Sequence, residues 1–151
     1  MADEARAAET LKLIARDEED LAVLSAVLQD ALIPVSEMAY LSEERRFALV
    51  ANRFRWEAPP DRPRDNFERR LTGLSVDGVA TVRRRGFSLA EPDRILSLLA
   101  IRRVEGALQL EFAGGAAIRL ETAEILCHLD DLGEPWPTRW QPRHPLGDAG
   151  R

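Results

Sequence analysis

The sequence predicts an α+β domain: a curved antiparallel β-sheet or partly open barrel built from hairpins, with one helix near each end. Three observations carry this. Apolar residues recur at helical spacing in two stretches, about 17–31 and about 122–132; period-two alternation occupies much of the chain between them; and the turns joining the alternating segments are short, which makes neighbouring strands antiparallel.

Residues 1–10 read as a flexible leader, followed by "LKLIA" at 11–15, a short apolar run bounded by charge and suited to a first strand. Asp17 is a good N-cap for the first helix. Glu18, Glu19 and Asp20 place negative charge in its first turn, and Leu21, Leu24, Val27, Leu28 and Ala31 form its apolar stripe, which Pro34 ends. The acidic run "DEED" therefore has a structural explanation that needs no metal. "VSEMAYL" and "RRFALVANRFRWE" follow as strands joined by the polar turn "SEER", and "APPDRPRDN" at 58–66 is a Pro-rich loop.

A tight turn at Asp77-Gly78 is predicted to fold residues 69–87 into a hairpin. That register sets Arg70 opposite Arg85. It gathers Arg70, Arg83 and Arg85 on one face and Arg69 and Arg84 on the other, and like charges so placed repel by up to ~1 kcal/mol per pair unless something neutralises them. "FSLAEPD" at 87–93 is a loop, "ILSLLAIRRV" at 95–104 a central strand, and "ALQLEF" and "AAIRLE" a hairpin across the "AGG" turn. "TAEILCHLDDLG" is predicted as the second helix, about 122–132, capped by Thr122 and ended by Gly133. A strand-rich body closed by an amphipathic helix resembles the pleckstrin-homology-like plan. The organisation is thus a leader (1–10), one globular domain (11–133) and a Pro/Trp-rich tail (134–151).

Composition narrows the function classes. Hydrophobic residues make up 45% and charged residues 31% of the chain, values of a folded soluble domain rather than a disordered one. No apolar run approaches the ~20 residues of a membrane span, no leader-like signal opens the chain, and one cysteine allows no internal disulfide, so a cytoplasmic location is expected. The net charge of −5 argues against a dedicated nucleic-acid binder. Charge is nevertheless unevenly placed: residues 45–103 hold fourteen arginines against seven acids, a block suited to oxyanions or to internal pairing with the acidic flanks.

Phosphate-binding, dinucleotide and zinc-protease motifs are missing, and no catalytic residue, cofactor or metal site is assigned. Cys127 and His128 would diverge by about 100° on a helix, which prevents a nucleophile–base pair and leaves the cysteine modestly exposed. In the tail, Trp136 and Trp140 lie among prolines and are candidates to pack back on the domain or to enter a partner's groove.

The blocks "LKLIARDEEDLAVLSAVLQDALIPV", "ERRFALVANRFRWE", "LSLLAI", "LEFAGGAAIRLE" and "DLGEPWPTRWQPRH" together resemble, over about residues 10–144, a small bacterial family of uncharacterised domains common in alphaproteobacteria. The resemblance implies no activity, cofactor or catalytic residue. The leading expectation is a non-enzymatic binding or interaction module whose contact surface comprises Arg69, Arg70, Arg83, Arg84 and Arg85, with an anionic or protein partner and no membrane. Two alternatives stand beside it: a small enzyme or metabolite-binding protein with a pocket at the sheet's mouth, and a structural homodimer subunit.

Overall fold

The computed structural model describes residues 11–54 and 68–137. The chain passes through β1 (Lys12–Ala15), α1 (Glu18–Val27), β2 (Leu32–Pro34), a single 3₁₀ turn at Val35–Glu37, and β3 (Met38–Leu41). Six further strands come before the last: β4 (Arg46–Phe54), β5 (Glu68–Asp77), β6 (Thr81–Arg85), β7 (Ile95–Val104), β8 (Ala107–Phe112) and β9 (Ala117–Glu121). The last described strand is β10 (Cys127–Pro137). Among the described residues the strands pair antiparallel in the order β1-β10-β5-β4-β2-β7-β8-β9-β6, and β3 adds to β4. The sheet is open and curved, with β1 and β6 at its two ends.

Alternation decides which face is buried. Phe47, Leu49 and Ala51 of β4, Leu74 and Val76 of β5, and Leu108, Leu110 and Phe112 of β8 join Leu21, Leu24 and Leu28 from the helical segment in one core. The helix starts as its sequence requires: Asp17 Oδ1 accepts from Asp20 N at 2.7 Å. Ser25 Oγ accepts from Ile101 N at 2.9 Å, which pins α1 to β7. It ends at Val27, four residues before the expected Ala31. Leu28–Asp30 turn instead, with Asp30 at φ 67, and Asp30 N donates to Leu98 O at 2.8 Å to deliver the chain to β2 beside β7.

Two predicted elements are corrected. The helix expected at 122–132 is replaced from Cys127 onward by β10, which lies between β1 and β5 and pairs with both. Its sequence supports either period. Leu129 and Leu132 lie three apart, as a helix stripe requires, yet Cys127, Leu129 and Asp131 also alternate inward, and only the strand form also satisfies the facing edges of β1 and β5. The pleckstrin-homology-like plan, which rested on a terminal helix, loses that support.

The Asp77-Gly78 hairpin is also overturned. Both edges of β5 are occupied, by β4 and β10, so β6 has no place beside it and crosses to β9. Gly78, at φ 77, makes the turn; Val79 N then donates to Arg45 O and Ala80 N to Glu121 O, both at 2.8 Å. Arg70 and Arg85 never face each other: Arg70 lies opposite Arg53, and Arg85 opposite Ala117. The hairpin over "AGG" is present, β8 to β9, with Gly114 and Gly115 at φ 84 and 88.

Cys127 is 1% exposed rather than partly open. Burial, and secondarily the charge of Asp77, push its thiol up to about 12. Ellman's reagent is therefore expected to leave the native protein unlabelled and to titrate one thiol per chain after denaturation; rapid labelling of native protein would contradict the placement of β10.

Candidate functional site

The five arginines singled out in the sequence divide into three environments. Arg70 lies on the inward face of β5 at 1% exposure, in a row with Arg53 of β4. Both approach Asp131 of β10. Arg53 grips this carboxylate at two points, Nε to Oδ1 at 3.1 Å and Nη2 to Oδ2 at 2.8 Å, while Arg70 Nη1 stands 3.7 Å from Oδ2. Thr72 donates its hydroxyl to Oδ1 at 2.6 Å and accepts from Arg53 Nε at 3.0 Å. Leu11 N donates to Oδ2 at 2.8 Å, and Asp131 N returns a bond to Leu11 O at 3.0 Å. Burial alone would push the Asp131 carboxyl up, but the bonds from Arg53, Thr72 and Leu11 outweigh it and hold the group below the usual range. The cluster is structural: it joins β4, β5, β10 and the segment before β1.

Arg69 lies on the opposite face at 8% exposure. Its guanidinium stacks 3.7 Å from the centre of the Phe54 ring, and Nη1 donates to Asn52 O at 3.0 Å and Asn52 Oδ1 at 3.2 Å.

Arg83, Arg84 and Arg85 are exposed on β6 and make no ion pair among the described residues; Arg85 Nε reaches only Gly115 O, at 3.5 Å. Other basic side chains of this block are taken up internally. Arg46 bonds Asp77 at 2.8 Å and Glu44 at 3.1 Å, Arg102 is paired with Glu111, and Arg103 donates to the carbonyls of Thr122 and Ala123. Among the described residues the triplet on β6 stays open, as does Arg45.

Beside that triplet lies a cavity. Among the described residues β3 pairs only with β4 and β6 only with β9, so their outer edges border a seam. One end is tied by Tyr40 Oη, which donates to Val79 O at 2.6 Å. The other is tied where Val35 N donates to Arg94 O at 2.8 Å and Ser36 N to Pro92 O at 3.1 Å. Between the ties a cavity of about 260 Å³ is walled by Met38 and Tyr40 from β3, Val82 and Arg84 from β6, and Phe87 and Leu89 from the loop that follows. The buried side chains Phe47 and Ile118 also line it. Arg84 is its one charged side chain.

Sequence reasoning found Arg84 but not its surroundings, because the seam joins residues about forty positions apart through strands that never pair. Nor did it find Arg53, Asn52 or Asp131, whose polar character disguised buried positions. Cys127 and His128 point to opposite faces of β10 and cannot act together. Trp136 stands opposite Arg69 in the register of β10 on β5, and Trp140 lies outside the described residues. No group of three or more metal-ligating side chains occurs among the described residues, and no helix there is long and apolar enough to cross a membrane.

Fold and site together define an α+β domain with an open antiparallel sheet and an apolar seam cavity. The family model described as "Protein of unknown function (DUF2948)" matches residues 11–144, and the chain belongs to that family. Comparison with curated proteins and with solved structures finds no match.

Replacing Asp131 by Asn should cost about 3–5 kcal/mol at neutral pH, because two buried arginines lose their carboxylate. The sign with pH follows from a depressed folded-state value: the carboxylate's contribution is complete above pH ~4, the unfolded value, and is lost as pH falls through the lower folded one. Urea unfolding at several pH values should show that loss in the parent protein and a flatter profile in Asp131→Asn.

Proposed function

We propose that this domain is a cytoplasmic, non-enzymatic binding module for a small amphipathic anion, whose apolar body enters the seam cavity and whose charged group meets Arg84. The observation that carries the reading is an apolar cavity between the outer edges of β3 and β6, unpaired among the described residues, with a single cation, itself without an ion pair there, in its wall. Size and shape favour a small molecule. A volume of about 260 Å³ lies just below the ~300–1,000 Å³ of drug-sized sites, and the ties at Tyr40 and at Val35–Ser36 obstruct an extended peptide running through the seam. A medium-chain or aromatic carboxylate has the matching chemistry.

Arg83 and Arg85 belong to this proposal as the surrounding positive field, which attracts the anion and raises its local concentration. The same field disfavours edge-to-edge pairing of β6 with a second copy, since like charges would meet across the new ladder.

Calorimetric titration with octanoate tests the reading. Saturable binding is expected, weakened about tenfold or more by Arg84→Gln, in keeping with a charge-assisted bond of ~1.5–3 kcal/mol. Octanol should bind both proteins alike, and Val82→Trp, which fills the cavity, should abolish both. Failure of octanoate and of a benzoate-type ligand to bind saturably would sink the proposal.

A further inference from the structure

We infer a second anion site, separate from the seam, where Arg69 and Asn52 bind an oxoanion, the carboxylate or phosphate group of a ligand, through the Nε–Nη2 edge of the guanidinium. The residues alternate with Arg53 and Arg70 along β4 and β5, so they occupy the face of the sheet turned away from Asp131.

A guanidinium carries five N–H groups, and the two on Arg69 Nη1 are used by Asn52 O and Asn52 Oδ1. Those on Nε and Nη2 have no hydrogen-bond or ion-pair partner among the described residues. Asn52 is fully buried, and its Nδ2 is the one buried side-chain polar atom left without a partner there. Nε and Nη2 of Arg69 do not belong to that fully buried class, so this edge shares in the 8% of the residue that solvent still reaches. They are reachable from outside.

The amide's orientation is set by its neighbour. Oδ1 accepts from Arg69, and the reverse orientation would press an NH₂ against the guanidinium, so Nδ2 is held as an unspent donor. Every unsatisfied group at this place is thus a donor, and leaving such groups buried or half-buried is costly. Among the described residues no acid pairs with Arg69. Asp30 contributes only at longer range and forms no ion pair with Arg69, while burial, the larger effect, pushes the arginine's pKa down. The Phe54 ring fixes the plane of the guanidinium at 3.7 Å, which leaves its side edge pre-organised for two-point contact with a planar carboxylate or two phosphate oxygens. A cation held in place, largely buried and without an ion pair among the described residues, complements an oxoanion.

The test follows the Arg69 Nε–H and Asn52 Nδ2H₂ resonances by ¹⁵N NMR while inorganic phosphate, and separately acetate, replaces chloride at constant ionic strength. Saturable shifts at both groups are expected, and Arg69→Lys, which keeps the charge but loses the fork, should weaken the apparent affinity at least tenfold. Preference for phosphate would identify a phosphate-bearing ligand, and preference for acetate a carboxylate. Shifts that grow linearly without saturation, or equal affinity in a folded Arg69→Lys variant, would overturn the inference. Should that variant fail to fold, the titration of the unaltered protein decides alone. Arg84→Gln is expected to leave these shifts unchanged, so the outcome is independent of ligand binding in the seam.

Discussion

Asp131 draws separate pieces of chain onto one buried carboxylate. Its two oxygens receive Arg53 from β4, Thr72 from β5 and the backbone of Leu11 ahead of β1, with Arg70 close by, while its own strand β10 runs between β5 and β1. A carboxylate buried in this way is tolerated only because every side of it meets a donor, and the arginines in turn depend on it. Shape-matched apolar residues could serve stability as well. They would not specify the register so narrowly, because a slip of one residue in β10 would turn Asp131 to the outer face and break its two-point contact with Arg53.

That specification propagates to the candidate sites. With β10 fixed on one side of β5 and β4 on the other, the chain leaving β5 at Gly78 cannot form a local hairpin. It crosses to the far end of the sheet and pairs with β9. This crossing places β6 across from β3 without joining them, and the unjoined edges enclose the apolar cavity. The seam is thus a consequence of the crowded centre of the sheet, and the exposed arginines of β6 lie on an edge strand, where charge also discourages unwanted strand pairing.

Arginine has three uses here, the first two of which lysine's chemistry would not permit. Arg53 makes planar two-point contact with a buried acid, Arg69 lies flat on an aromatic ring, and Arg83, Arg84 and Arg85 stay charged in solvent. The same block of positive charge therefore serves internal complementarity and an open surface at once. Which of the two a given arginine serves depends on a single residue of register.

The sequence by itself determined the elements whose signals are local. The Asp17 cap and the leucine stripe specify α1, alternation specifies β3 and β4, and the paired glycines at 114 and 115 specify the β8–β9 turn, because each depends on neighbours a few residues away. The tertiary structure decided the rest. Residues 125–132 carry apolar spacing compatible with either helix or strand, and the free edges of β1 and β5 selected strand; Asp77-Gly78 suits a hairpin, and the occupied edges of β5 forbade it. Arg69 and Arg70, adjacent and identical in kind, were separated onto opposite faces by the pleat alone. Backbone hydrogen bonds between distant strands must be satisfied collectively, and no local pattern records which edges will already be taken.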